Sequence, residues 1–260
     1  MFVRIAQGFN AISRSIIAFL ILDVILVTTM LPWNVVIMFT DSFSGLSIPL
    51  LALVAVVAYT ISTPALAAAF AAYRDAPTMR YGEDENVRFR RNRTIESIDA
   101  VASPYWNAED ENRMARPYLR AYVGLFKRSL VTSLMFGAIL AVLAEAACLA
   151  VSTTGGTVAT AVLLALCAFT IVAHMTALNL VVEFPRAHYP AVLRNGFTLS
   201  AAKWPFTLLA IAVLGVYIGV MLTWPWFMLL FGTGLVFFFL YHCVEHITRH
   251  VVEQMIAEES

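Results

Sequence analysis

The sequence predicts an all-α fold: one polytopic membrane domain built as a bundle of six transmembrane helices, with the N- and C-termini cytoplasmic. Hydrophobic residues make up 60% of the 260 residues and charged residues 13%, whereas soluble domains average about half and about a quarter. The apolar residues form long uncharged runs, which is the pattern of membrane-spanning helices. A charged segment, residues 74–128, interrupts these runs and holds 11 of the 17 Lys and Arg residues.

Two spans are predicted before the charged segment. In residues 1–15 the apolar side chains recur at spacings of three and four, which predicts a helix that either lies in the headgroup layer or packs on the bundle. The first span follows at 15–39 and contains Pro32; the second is 48–73 and contains Pro64. The first apolar run is too long for a signal peptide, so we expect it to remain in the mature protein.

Four spans are predicted after the charged segment. Each run is close to the ~20 residues that cross ~30 Å of hydrocarbon as a helix. Inside the segment, Asn107 begins a predicted helix, and Pro117 indicates a kink or a second helix start. Tyr189 begins a predicted amphipathic helix before the fifth span. The four later spans are 129–151, 158–182, 204–222 and 227–243.

The distribution of basic residues predicts the orientation. With the N-terminus inside, all 17 Lys and Arg residues fall in the inner segments and none in an outer loop. Basic residues concentrate in cytoplasmic loops, so both termini are expected in the cytoplasm. Trp33, Trp224 and Trp226 are expected at the outer boundary, where aromatic side chains are enriched. We therefore predict a multi-pass protein of the bacterial cytoplasmic (inner) membrane, in contact with the lipid bilayer.

Composition and motifs argue against several classes of function. The formal net charge is zero, which gives no support for nucleic-acid binding. Cys148, Cys167 and Cys243 lie in apolar runs without metal-ligand spacing, which indicates small buried residues. There is no Walker motif or dinucleotide fingerprint, so no intrinsic ATPase activity is expected. We predict a protein that is not an enzyme and has no catalytic, cofactor or metal site.

Three ionisable residues inside the predicted spans form a candidate intramembrane polar site: Asp23, Glu145 and His174. Charged groups are costly in hydrocarbon and are often functional there. Together these residues could line a polar pathway or relay protons. In the alternative interpretation, each residue only hydrogen-bonds a neighbouring helix.

Basic and histidine residues on the inner side give two weaker candidates. His242, His246 and His250 share one helical face, which is either a metal-type spacing or a polar stripe. The second candidate is a set of arginines that either contact a partner or anionic lipid or simply follow the inner-side bias. These are Arg88, Arg90, Arg91, Arg93, Arg186 and Arg194.

The chain resembles the YesL-like family of bacterial integral membrane proteins. The resemblance rests on three stretches: the small-residue, proline-containing stretch 62–70, the aromatic and basic stretch 118–129 that leads into the third span, and the segment 183–206. The last of these contains a Leu-Arg-Asn triplet and a Trp-Pro pair. The insert near 77–115 departs from that family, whose members are usually much shorter there. The family has no established activity, and its members are typically encoded beside carbohydrate ABC importers and glycoside hydrolases.

This resemblance implies an accessory or scaffold subunit associated with carbohydrate ABC import, with permease and ATPase subunits as the expected partners. The alternative is a gradient-driven small-solute transporter or channel that uses the intramembrane carboxylates. The alternative predicts that neutralising Asp23 or Glu145 abolishes flux without loss of folding.

Overall fold

A computed structural model describes residues 2–39, 45, 47–75, 105–106, 114–151, 153 and 156–259, with side chains described between residues 16 and 254 of these. Every element in these residues is helical, as predicted. The helices are α1 (Phe2–Thr29), α2 (Leu31–Met38), α3 (Ile48–Asp75), α4 (Ala115–Val151), α5 (Thr157–Glu183), α6 (Tyr189–Ala202), α7 (Trp204–Thr223), α8 (Pro225–Phe227) and α9 (Thr233–Glu259), with a π-helical turn at Met228–Gly232 between the last two.

Among the described residues, five helices are long and apolar enough to cross a membrane: α3, α4, α5, α7 and the helix that runs from Pro225 to Gln254. They contain the second to sixth predicted spans. The length of α4, 37 residues, corresponds to about 55 Å at 1.5 Å per residue, so it extends well beyond the hydrocarbon layer. Pro117 lies in its first turn, which agrees with the predicted second start; the helix start expected at Asn107 lies outside the described residues.

The first predicted span, 15–39, is not one straight helix. Helix α1 runs without interruption from Phe2 to Thr29, and α2 leaves it at an angle of 78°. Pro32 lies in the first turn of α2, where its missing N–H breaks no helical hydrogen bond. The Asn34 side chain donates to the carbonyl of Val27 at 2.9 Å, which satisfies part of the interrupted backbone. The part of the chain that the structure describes therefore contains five helices that could span a membrane, or six if this bent pair is one span.

The break places Trp33 beside the middle of α3. Its backbone N–H donates to Ser62 Oγ at 3.2 Å, and its ring packs edge-on against Tyr59 with the centroids 5.7 Å apart. The predicted position of Trp33 at the outer boundary is therefore wrong. Trp224 and Trp226, by contrast, are exposed at the end of the bundle where α7 ends and α8 begins.

Pro64 does not break α3, which continues to Asp75. Proline cannot donate to the carbonyl four residues earlier, that of Thr60. The hydroxyl of Thr63 donates to this carbonyl at 2.7 Å, and the Tyr118 hydroxyl from α4 donates to the carbonyl of Ala65 at 3.1 Å. The Thr63 side chain thus replaces the missing backbone bond, which is how proline is tolerated in membrane helices.

The core lies toward the end of the bundle where the basic residues gather, called here the basic end. In α3 every residue from 62 to 74 is buried, and in α5 every residue from 172 to 183. These two half-helices are surrounded by protein on all sides. At the opposite end the same helices expose Ile48, Leu53, Val158 and Leu164, as expected for surfaces that face lipid.

Helix α6 is held tightly across α5. A Cβ atom at Gly196 would lie 2.7 Å from the carbonyl oxygen of Ala173, so only glycine allows this approach. The hydroxyls of Thr176 and Ser200 are 2.9 Å apart. The loop before α6 is also fixed, because the Arg128 guanidinium donates to the carbonyl of Ala187.

Candidate functional site

Asp23 is buried at the junction of α1 and α9, with 2% of the residue exposed. Its Oδ1 accepts a hydrogen bond from the backbone N–H of Gly234. The π turn ends two residues earlier, and there the Thr233 N–H bonds back to Met228, five residues away. This five-residue spacing interrupts the regular series of backbone hydrogen bonds in the helix. The N–H of Gly234 donates to the aspartate. A Cβ at Gly234 would lie 3.0 Å from Oδ1, so glycine permits the close approach.

The second oxygen of Asp23 has no hydrogen-bond partner within the described part of the chain. The carbonyl of Gly234 accepts from the Tyr73 hydroxyl at 2.8 Å. Side chains from α1 and α3 therefore bind both backbone groups of this one glycine. The arrangement joins three helices and leaves a single buried carboxylate oxygen unpaired, which is costly away from water.

His174 is fully buried in α5 and connects three helices. Its Nδ1 is 2.9 Å from the Tyr59 hydroxyl of α3, and its Nε2 is 2.9 Å from Ser133 Oγ of α4. Phe136 stacks on the ring with the centroids 4.9 Å apart. Tyr59 can donate to Nδ1 while Nε2–H donates to Ser133, so the neutral imidazole satisfies both nitrogens. This supports the interpretation of His174 as a residue that hydrogen-bonds neighbouring helices.

Glu145 lies apart from the other two candidates. It is half-buried on α4, and its side chain forms no hydrogen bond or ion pair with the described residues. Asp23 contacts α9, His174 contacts α3 and α4, and the three side chains share no contact. The structure does not bring them together into one polar pathway.

The inner-side candidates lie on the surface or outside the described residues. Arg186 and Arg194 are exposed, on the loop before α6 and on α6 itself. Arg88, Arg90, Arg91 and Arg93 lie outside the described residues.

The three histidines of α9 are exposed, and His242 pairs with Glu245 at 3.1 Å. No group of three metal-ligating side chains forms in the part of the chain that the structure describes.

The sequence interpretation missed a buried ion cluster at the basic end. The Arg74 guanidinium donates to both oxygens of Asp75, at 2.6 and 2.9 Å, and to Glu183 at 3.3 Å. It also donates to the carbonyl of Val182 at 3.0 Å, so it ties the last turn of α3 to the last turn of α5. Asp75 accepts the N–H of Tyr105 at 2.8 Å. The sequence does contain one signal for this cluster: the charged pair Arg74 and Asp75 directly follows an apolar run.

A second missed feature is a large apolar cavity. Its volume is about 900 Å³, and it lies between α3, α4, α5 and α7 in the half of the bundle away from the basic end. Trp33, Tyr59, Tyr217 and Phe237 contribute aromatic rings to its lining. Its volume is near the upper end of the ~300–1,000 Å³ range of small-molecule sites. Sequence patterns could not show it, because lining and lipid-facing positions are equally apolar.

Comparison with known proteins adds no relative. No protein-family model, curated protein or solved structure matches this chain. The YesL-like resemblance therefore stays a prediction.

Proposed function

We propose that the protein is a non-enzymatic accessory or scaffold subunit of a larger complex in the bacterial cytoplasmic membrane, with six spans and both termini in the cytoplasm. A carbohydrate ABC importer is the first candidate partner, on the basis of the YesL-like resemblance. The observation that carries the proposal is a set of exposed cations held at one end of the bundle. These are Arg116, Arg120, Lys127, Arg186, Arg194 and Lys203.

The elements that bear these cations are fixed in place. Arg128 anchors the loop that carries Arg186, and the close contact at Gly196 fixes the helix that carries Arg194. A preorganised surface loses little conformational entropy when it binds. Its positive charge fits an acidic surface on a partner, which would guide association and fix orientation.

The interior supports binding more than conduction of a polar solute. His174 hydrogen-bonds both Tyr59 and Ser133, and the Arg74 cluster is paired and buried. The large cavity has an apolar lining. A hydrophilic solute needs polar partners along its path, and these polar side chains are occupied with one another.

Affinity purification from the native host in mild detergent, with mass spectrometry of the co-eluting proteins, tests the proposal. We expect stoichiometric permease and ATPase subunits with the unaltered protein. The double variant Arg194→Glu/Lys203→Glu should lose them. The variant Arg249→Gln should keep them, because Arg249 is exposed on α9 but already pairs with Glu253 at 2.8 Å.

Elution as a lone protein or as a homo-oligomer would contradict the accessory role. Retention of the partners by the double variant would contradict the assigned surface while leaving the role intact. The basic residues would then act only in orientation or in binding anionic lipid.

The alternative, a gradient-driven transporter or channel, is supported by Asp23. An almost fully buried carboxylate with one unpaired oxygen beside a π turn is the kind of group that proton-coupled carriers use. Proton flux into proteoliposomes, followed with a trapped pH-sensitive dye, tests this alternative. The alternative requires a measurable proton flux in the unaltered protein. Asp23→Asn or Glu145→Gln must abolish this flux while the protein remains folded.

A further inference from the structure

The apolar cavity must be filled by something other than water. Of the three hydroxyl side chains in its lining, that of Tyr59 bonds to His174 and that of Thr160 to the carbonyl of Gly156 at 2.8 Å, which leaves only the hydroxyl of Tyr217 without a partner among the described residues. A buried water needs two to four polar partners, which this lining does not offer. Ile48, Leu149 and Leu164 are among its lining residues and are exposed. The mouth of the cavity is therefore continuous with the surface that faces hydrocarbon.

Size argues against a transmembrane helix of a partner as the occupant. The cavity volume of about 900 Å³ is that of a small-molecule site, whereas a helix with its side chains is a rigid cylinder about 10 Å across. A helix that spans the bilayer needs about 20 residues, or between five and six turns. A thin, flexible chain can instead follow the space between the four helices.

We propose that the cavity is a lipid-binding site that holds a hydrocarbon chain of a bilayer lipid from the leaflet opposite the basic end. The chain packs against the aromatic rings of Trp33, Tyr59 and Phe237 at the deep end of the site. Lipid tails are as apolar as the lining, so binding gains no hydrophobic energy and depends on van der Waals contacts. The bound chain completes the packing of α3, α4, α5 and α7. This inference is independent of the accessory role.

Helix α7 offers a matched pair of variants for a test. A Cβ at Gly215 or at Gly219 would meet no atom within 4 Å, so a side chain can start from the backbone at both positions without a clash. Gly215 lines the cavity, whereas Gly219, one turn later, does not. Gly215→Phe places a ring in the cavity and takes up part of its volume, whereas Gly219→Phe only adds apolar surface toward lipid.

The reporter is the fluorescence of Trp33, in a protein whose other four tryptophans are replaced by phenylalanine. The protein is reconstituted at a low protein-to-lipid ratio into phosphatidylcholine vesicles with or without dibrominated acyl chains. Bromine quenches tryptophan on contact. We expect strong quenching in this protein and in its Gly219→Phe form, and quenching at least halved in its Gly215→Phe form.

Unquenched Trp33 in the parent protein would overturn the proposal, and so would equal quenching in the Gly215→Phe and Gly219→Phe forms. Quenching that is absent at a high protein-to-lipid ratio and appears only when the protein is diluted in lipid would also overturn it. A second copy of the chain would then fill the cavity at the high ratio. If Gly215→Phe fails to fold, as judged by size-exclusion elution and circular dichroism, Gly215→Leu makes the same comparison with a smaller side chain.

Discussion

Two buried tyrosines allow a direct test of the polar network in the bundle. The hydroxyl of Tyr59 is 2.9 Å from His174 Nδ1, whereas the hydroxyl of Tyr217 lies near Trp33 and Thr233 without a hydrogen bond of regular geometry to any described residue. Both side chains line the cavity, and both residues are at least nine-tenths buried. Replacement by phenylalanine removes one oxygen atom in each case. The two substitutions therefore differ mainly in whether a hydrogen bond is lost.

The expected changes in unfolding free energy have opposite signs. A hydrogen bond between membrane helices contributes about 0.6 kcal/mol on average and up to about 1.7 kcal/mol. Tyr59→Phe also leaves a ring nitrogen of His174 buried without a partner, which adds a penalty. We expect a loss of about 1–2 kcal/mol for Tyr59→Phe. Tyr217→Phe removes a hydroxyl that is buried and unpaired, so it should be neutral or stabilising by up to about 1 kcal/mol.

The assay is reversible unfolding in mixed micelles with increasing SDS, followed by circular dichroism. The double variant Tyr59→Phe/His174→Phe removes both partners, so its loss should be smaller than the sum of the two single losses. Equal losses in Tyr59→Phe and Tyr217→Phe would refute the reasoning. Strictly additive losses in the double variant would show that the contact between Tyr59 and His174 contributes no energy.

Three further predictions use the same assay. Arg74→Met leaves the carboxylate of Glu183 buried without its cation, so we expect a loss of about 3–5 kcal/mol; a loss below about 1 kcal/mol would show that water reaches the cluster. Gly196→Ala forces α6 away from α5 and should cost about 1–3 kcal/mol, whereas Gly219→Ala, which meets open space, should not destabilise the protein. Gly234→Ala crowds the buried aspartate of α1 and should destabilise the α1–α9 contact; unchanged stability would show that the aspartate moves freely.

The sequence predicted the spanning helices after the first with good accuracy. Helix α3 was expected at 48–73 and runs from Ile48 to Asp75; α7 was expected at 204–222 and runs from Trp204 to Thr223. The reason is physical: in hydrocarbon a backbone has no hydrogen-bond partner outside itself, so a long apolar run must be helical. The limits of the run therefore become the limits of the helix.

The two prolines show what hydrophobic patterning could not predict, namely which proline interrupts its helix. Pro32 and Pro64 both lie in predicted spans, yet the chain bends by 78° next to Pro32 and continues through Pro64 as one helix. The difference is that the hydroxyl of Thr63 takes the carbonyl that Pro64 leaves free, with α4 packed alongside. The sequence contains both prolines but does not show which one its neighbours support.

The candidate site was also predicted only in part. The sequence singled out Asp23, Glu145 and His174, because an ionisable residue in an apolar run is conspicuous. It did not show that they lie in three separate environments, that a π turn supplies the partner of Asp23, or that Tyr59 and Ser133 satisfy His174.

Composition and the positions of charges determined that this chain is an α-helical membrane protein and where five of its spanning helices lie, because the cost of polar groups in hydrocarbon acts on each segment separately. Only the tertiary structure decided the break after α1, the pairing of the buried polar groups, and the cavity between α3, α4, α5 and α7. These features depend on which helices pack together. In a bilayer, lipid-facing, core-facing and cavity-facing positions are all apolar, and hydrophobic patterning cannot distinguish them.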